Sequence, residues 1–324
     1  MLFFANILMA QDMFFTQFYN APLVLNPALT GFSSDDMQLT MNYRDNSQGL
    51  IPHSTYAGSG TIKVARLLLR PNTAGVGVIA SMDDFSSGKI KTLNILVSGA
   101  YHMALTKDAT HFASVGTQIG FFQRQSNANS FSYPSQWDDN IGYTAGSSNY
   151  EMFQDESVFR PDVNVGAFYY GKVNNTLSAF SGISFSHINN PKVSFLGEDA
   201  RFSSKYLIHG GARYKVNTEI DIIPNFIIVF QGRARQIVEG ASMEYKITDT
   251  PHAIRFGTWY RHSDRGFIAM AGWKVNNFQL AVSSDFITRL QRVSRSRSAL
   301  EFSIIYTGAL KEKVTLNANP RNTY

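Results

Sequence analysis

Apolar and polar residues alternate with a period of two along most of this chain. Met37, Leu39, Met41 and Tyr43 interleave with Gln38, Thr40 and Asn42, which gives an extended segment one greasy face and one polar face. Leu93, Ile95, Val97, Tyr101 and Met103 do the same against Asn94, Ser98 and His102, with Leu96 and Ala100 breaking the pattern. Ala113, Val115, Ile119 and Phe121 alternate with Ser114, Gly116, Gln118 and Gly120. Further strands are predicted over Thr55 to Val64, Ala74 to Met82, Pro161 to Tyr170, Asn175 to Ile188 and Lys205 to Val216. They continue over Asn225 to Arg235, Ile237 to Ile247, Ala253 to His262, Gly266 to Val275, Asn277 to Ile287 and Ser298 to Tyr306. The total is about fourteen, an even number, as single-chain membrane barrels use. The pattern therefore predicts an all-β fold: a transmembrane antiparallel β-barrel.

The connections follow the same expectation. If both termini are periplasmic, the odd-numbered loops face outward, and the long segments Arg124 to Arg160, Asn189 to Ser204 and Thr288 to Arg297 are all odd-numbered. The even-numbered turns include Gly171 to Asn174, Thr248 to His252 and the tight Val275-Asn276-Asn277, whose Asn pair suits positive φ. The chain divides into residues 1–10, which resemble the apolar part of a secretory signal; an N-terminal periplasmic or plug segment, 11–36; the barrel, 37–306; and a periplasmic tail, 307–324.

Composition supports a membrane location. Hydrophobic residues make up 44%, aromatics 13% and charged residues only 16%, against about 25% charged in soluble domains. No apolar run is long enough for a spanning helix, so only strands can cross. The absence of cysteine removes disulfides, thiolate metal sites and a cysteine lipid anchor. The net charge of +5 is mild, and the basic run Arg289, Arg292, Arg295 and Arg297 could meet phosphates of lipopolysaccharide or nucleic acid but reads as a solvated loop, so no nucleic-acid partner is expected.

No motif carries enzymatic chemistry, and no catalytic, cofactor or metal residue is expected. Gly75-Val76-Gly77 onward matches a dinucleotide fingerprint ending in Ala80, but the segment reads as a strand, with its glycines as small lumen positions. The seven histidines lack metal spacing and read as polar lining. His187 beside Ser186 and the acidic pairs Asp83-Asp84 and Asp138-Asp139 form no triad or calcium loop and read as rim and turn residues.

A resemblance adds a functional expectation. The opening QDMFFTQFYNAPLVLNPALTGF, with Phe15 to Tyr19, then Asn26, Pro27, Ala28 and Gly31, resembles the start of mature PorP/SprF proteins of the Bacteroidetes type IX secretion system. NYRDN (Asn42 to Asn46), SGAYHMAL (Ser98 to Leu105), HFASVGTQIGFFQRQ (His111 to Gln125), PSQWDDNIGY (Pro134 to Tyr143), PDVNVGAFYY (Pro161 to Tyr170), FSGISFSHINNPKVSF (Phe180 to Phe195) and LIHGGARY (Leu207 to Tyr214) follow in the family's order. The chain departs at the end, with Leu300-Glu301 where the family tends to have His-Glu and Asn319-Pro320-Arg321 where it has Cys-Pro-Arg. The resemblance implies a non-enzymatic outer-membrane protein supporting secretion and surface anchoring of cargo such as large adhesins. The implied partners are a cargo C-terminal domain and a periplasmic ring and lipoprotein of the PorK/PorN type. Candidate partner contacts are Asn26, Pro27, Gly31, Pro320 and Arg321, because the predicted topology puts both flanking segments on the periplasmic side; a purely structural turn is the competing reading for the first three. A passive channel or hydrophobic-substrate transporter is the alternative function.

Overall fold

In the computed structural model, the described residues are 12–46, 52–64, 71–85, 89–126, 137–138, 141–143, 157–194, 201–287 and 299–309. The expected signal at residues 1–10, the basic run at 289–297, Pro320 and Arg321 lie outside them. The first strands are β1 Met37–Asp45, β2 His53–Val64, β3 Thr73–Phe85, β4 Ile90–Ala104 and β5 His111–Ser126. Two two-residue strands, β6 Trp137–Asp138 and β7 Gly142–Tyr143, pair within the connection that follows. The wall resumes with β8 Ser157–Lys172, β9 Leu177–Ser186, β10 Lys205–Lys215, β11 Ile220–Gln231 and β12 Ala234–Lys246. It ends with β13 His252–Arg261, β14 Gly266–Val275, β15 Phe278–Ile287 and β16 Leu300–Gly308.

All except β6 and β7 form one closed antiparallel barrel of fourteen strands, sealed by β1 against β16 with Met37 opposite Gly308 and Asp45 opposite Leu300. Closure leaves no strand edge unpaired, the condition for crossing hydrocarbon. The alternation read from the sequence sorts side chains as a membrane wall requires: Leu39, Met41, Val97 and Val115 are exposed, while Thr40, Asn42, Ser98 and Gln118 are buried inside. Aromatic rings collect in two outward-facing belts. One, near the short turns, holds Tyr101, Tyr169, Tyr214, Tyr245 and Trp273; the other, near the opposite rim, holds Phe121, Phe159, Phe185, Phe267 and Phe286.

The rim joining β5 to β8, β9 to β10 and β15 to β16 carries the long connections and is called here the loop end; the other is the turn end. Three loop-end connections are short, residues 86–89, the Gly232-Arg233 hairpin and residues 262–265. At the turn end Asn276 has φ +50°, so one member of the predicted Asn pair takes the left-handed conformation.

Two strand boundaries placed at prolines need correction: β8 begins at Ser157 and runs through Pro161, where the predicted strand starts. The sequence reading starts a strand at Asn225 and ends it at Arg235, whereas β11 runs from Ile220 through Pro224 and turns at Gly232, where φ is +56°. Proline lacks the N–H that a ladder uses, but Pro224 sits opposite Ala241 on the exposed side, and its neighbours keep the register.

Candidate functional site

Residues 12–36 fill the barrel's lumen. The segment enters the lumen at the loop end and leaves at the turn end: Asp12 donates its backbone N–H to Gln231 at 3.0 Å, and His102 on the turn-end half of β4 lies 2.9 Å from the Thr30 carbonyl. Between these points the chain folds into a 3-10 turn Phe18–Asn20, a one-turn helix α1 Pro22–Leu25 and a second 3-10 turn Pro27–Leu29. Pro22 and Pro27 each start one of these turns, where a missing N–H and a fixed φ are advantageous.

The loop-end anchor is ionic. The Asp12 carboxylate contacts Lys205 Nζ and lies 3.3 Å from His187 Nε2, and His187 Nδ1 is 2.8 Å from Asp162 Oδ1. His187 also stacks on Phe202, with ring centroids 4.8 Å apart. Burial alone would make His187 a weaker base; the Asp12 and Asp162 carboxylates overcome this and raise its pKa to about 9. Burial likewise works against the Asp12 charge, but Lys205 and His187 outweigh it and hold the carboxyl well below the usual range.

The second anchor is Glu301 on β16, buried to 1% exposure. Its carboxylate accepts the backbone N–H groups of Thr16 and Gln17, each at 2.8 Å, the Thr16 hydroxyl at 2.6 Å and Arg44 Nη1 at 3.1 Å. Arg44 also reaches Asp285 at 2.8 Å, and Arg261 joins Asp285 at 2.6 Å, so charges from β1, β13, β15 and β16 form one chain beside the β1–β16 seam. Gln17 and Asn20 extend the network to Ser283 and Ser303.

A third set of contacts seats the apolar face. Phe18 and Leu25 pack with Leu207, Ile227, Val238, Trp259, Ile268 and Met270, all projecting inward. Leu23 packs with Ile79 and Leu96 on the opposite wall, which explains why Leu96 breaks the alternation of β4. Tyr19 stacks on Trp259 at 5.1 Å, with the Arg255 guanidinium 4.8 Å from the Tyr19 ring. Burying each large side chain here contributes about 1.5–3 kcal/mol before ordering costs.

Asn26, Pro27 and Gly31, expected on the periplasmic face, are instead buried within the barrel. Asn26 has the extended backbone predicted for a residue before proline, φ −160° and ψ 125°. Its side-chain N–H₂ donates to the Ala167 and Ile183 carbonyls at 3.0 and 3.1 Å and meets His209 Nε2 at 3.1 Å, while its Oδ1 accepts the Ala28 N–H at 2.9 Å. A Cβ on Gly166 would lie 2.0 Å from Asn26 Oδ1, so the wall is thinned to admit this residue. Gly31 has φ +72° and presses against Gly75, where a Cβ would come within 2.0 Å of the Thr30 carbonyl. The reading of Gly75 as a small lumen-side residue thus has its physical cause in the close approach of the segment, whereas a Cβ on Gly77 would first meet the wall itself, the Gly60 carbonyl at 2.7 Å and the Thr61 methyl at 2.8 Å. These three residues clamp the chain to the inner wall and present no surface at the turn end.

In the sequence Glu301, Asp12, Gln17 and Arg44 stand within stretches that resemble the family, but neither they nor Lys205 were given a role. The usable signal was the set of large apolar residues on the lumen parity of β10 to β14, such as Leu207, Ile227, Trp259 and Ile268, which an empty polar lumen would not tolerate. Histidines 102, 187 and 209 are buried lumen contacts. Among the described residues no group of three or more His, Cys, Asp or Glu could hold a metal ion.

Solved structures of low sequence identity share the fold. The Ralstonia pickettii toluene transporter TbuX is 11% identical with TM-score 0.54, covering 89% of this chain and 93% of that one. A mutant of the monoaromatic hydrocarbon channel TodX is 10% identical with TM-score 0.57, covering 90% and 94%. A Pseudomonas aeruginosa FadL homologue is 11% identical with TM-score 0.52, covering 87% and 92%. No curated protein matches the sequence. The family model described as type IX secretion system membrane protein PorP/SprF matches residues 7–306, nearly the whole length over which wall and lumen segment were traced, and the chain therefore belongs to the PorP/SprF family.

Proposed function

We propose that this protein is an outer-membrane component of a Bacteroidetes type IX secretion and gliding machinery that supports secretion and surface anchoring of particular cargo, such as large adhesins. The loop end faces the cell exterior, following the rule that barrels carry long loops outside and short turns in the periplasm. On this reading a cargo C-terminal domain and a periplasmic ring and lipoprotein of the PorK/PorN type are the partners, and lipopolysaccharide surrounds the outer belt. Residues 1–10 act as the signal that directs export. The observation that carries the proposal is family membership over 7–306 combined with a lumen occupied by the chain's own segment. A barrel stoppered by ionic, polar and apolar contacts suits a partner-binding scaffold better than a free conduit. Affinity purification of the tagged protein from detergent-solubilised outer membrane of its host, with mass spectrometry, is the test. Recovery of an adhesin or ring proteins is expected; repeated isolation of a lone barrel would overturn it.

The second reading, a channel for hydrophobic substrates, draws on the likeness to structures described as toluene transporters and hydrocarbon channels. At 10–11% identity that likeness bears on fold. Planar-bilayer recordings separate the two. The intact protein is expected to be silent, with conductance only after removal of residues 12–30; steady conductance of the intact chain favours the channel.

A further inference from the structure

Between the lumen segment and the loop-end third of the wall lies a cavity of about 340 Å³, at the small end of the range for ligand sites. Its two sides differ in character. Phe14, Phe15 and Phe18 of the segment, with Ile227 and Val229 of β11, form an apolar side. Arg44, Arg261, Asp285 and Asn46 form the other.

The polar side is already balanced in charge. Both guanidiniums are engaged by Asp285, with Glu301 and Asp264 as further partners, so neither of these two offers a free anion an unneutralised charge. It is not balanced in hydrogen bonds. Asp285 Oδ1, on a residue 1% exposed, and Asn46 Oδ1 have no donor among the described residues. A buried acceptor without a donor costs about 1–3 kcal/mol, so this side calls for an N–H or O–H. A hydrocarbon would satisfy the phenylalanines and leave these oxygens unmet.

We propose that this cavity is a binding site for a peptide segment arriving from the exterior. It takes one apolar or aromatic side chain against Phe14, Phe15 and Phe18, with the adjoining backbone N–H groups donated to Asp285 and Asn46. The proposal deepens the secretion reading by naming the chemistry recognised at the loop end. It rests on that reading for the source of the peptide, while the cavity's chemistry can be tested on the barrel alone.

The experiment is calorimetric titration of the detergent-purified full chain with N-acetyl-phenylalaninamide, hydrocinnamate and toluene. Saturable binding of the amide is expected, with hydrocinnamate at least about tenfold weaker, a difference of about 1.4 kcal/mol, and no competition by toluene. Val229→Trp, which fills the cavity from its apolar side, is expected to abolish binding while the protein keeps its heat-modifiable migration as a folded barrel. Asp285→Asn is a second variant, removing the charge but keeping one acceptor, and should weaken the amide several-fold. Absence of saturable amide binding, equal binding by Val229→Trp, or competition by toluene overturns the proposal. A negative co-purification with intact amide binding would count against the secretion reading and leave the cavity's chemistry standing.

Discussion

A carboxylate with four donors converging on it inside the lumen fixes its neighbours in position, and Glu301 is such a group. Removing one partner of a buried ion pair costs about 3–5 kcal/mol because the other charge is left behind. Glu301→Ala strands the Thr16 and Gln17 N–H groups but leaves Arg44 held by Asp285 at 2.8 Å, so a loss of about 3 kcal/mol, the lower end of that range, is expected in urea unfolding of the detergent-folded barrel. Glu301→Gln keeps one acceptor and should lose less, about 1–3 kcal/mol. Both should make the Phe14 to Asn20 stretch cleavable by chymotrypsin at concentrations that leave the native chain intact; an unchanged digestion pattern would show that the apolar contacts suffice. Glycine offers a sharper contrast. Gly75→Ala would drive a Cβ into the Thr30 carbonyl at 2.0 Å, whereas a Cβ on Gly99, in the next strand, comes no nearer than 4.0 Å to the Gly75 carbonyl. The first substitution is expected to unseat residues 28–32 and the second to be silent in the same digestion.

At the scale of elements, the alternation defined the wall because each strand meets lipid on one side and lumen on the other, and neither environment tolerates the opposite parity. Strand ends were less legible. Pro161 and Pro224 stopped the predicted strands, yet β8 and β11 run through both prolines, because the pairs on either side of Pro161↔Phe121 and Pro224↔Ala241 hold the register without that one N–H. The lumen segment was legible as an element outside the barrel but not in its path, since Asn26, Pro27 and Gly31 carry local turn signals and say nothing of which end of the barrel the chain enters. That path is set by pairs far apart in sequence, Asp12 with Lys205 and His187 above all. The loop-end anchor should therefore depend on pH. His187 is raised from 6.5 to about 9 in the folded state, so its contribution is complete below about 6.5 and lost as pH climbs through about 9. The shift corresponds to about 3 kcal/mol at most. Asp12, depressed by the same contacts, loses its contribution only on acidification. Because the chain has no native cysteine, a spin label on Met13→Cys reports this end alone. Its mobility should rise between about pH 7 and pH 10 and stay high and flat in His187→Gln; a native label indifferent to alkali would refute the ionic anchor.

At the scale of the molecule, the lipid-facing parity of β4 measures the membrane. Lys91 is the last cation on that face at the loop end, paired with Asp84 at 3.7 Å, and from Leu93 to Met103 the same face carries Ile95, Val97, Gly99 and Tyr101 without a charge. Ten residues span about 34 Å along the strand, or about 26 Å across the membrane at a tilt of roughly 40°, close to the apolar height of such barrels. Val97 lies at the middle of this band, 65% exposed, between Val78 and Ile119 on the neighbouring strands. Exposure there means contact with acyl chains, so Val97→Arg should destabilise the barrel by about 2–4 kcal/mol in phospholipid vesicles. Lys91→Arg keeps a cation where the wall already has one and should change stability by less than about 0.5 kcal/mol. The comparison separates a bilayer-spanning wall from a water-exposed one, because a solvated β-surface accepts arginine at either position for nearly the same cost. Equal stabilities of the two variants, by urea unfolding in vesicles, would contradict the placement of the bilayer along β4.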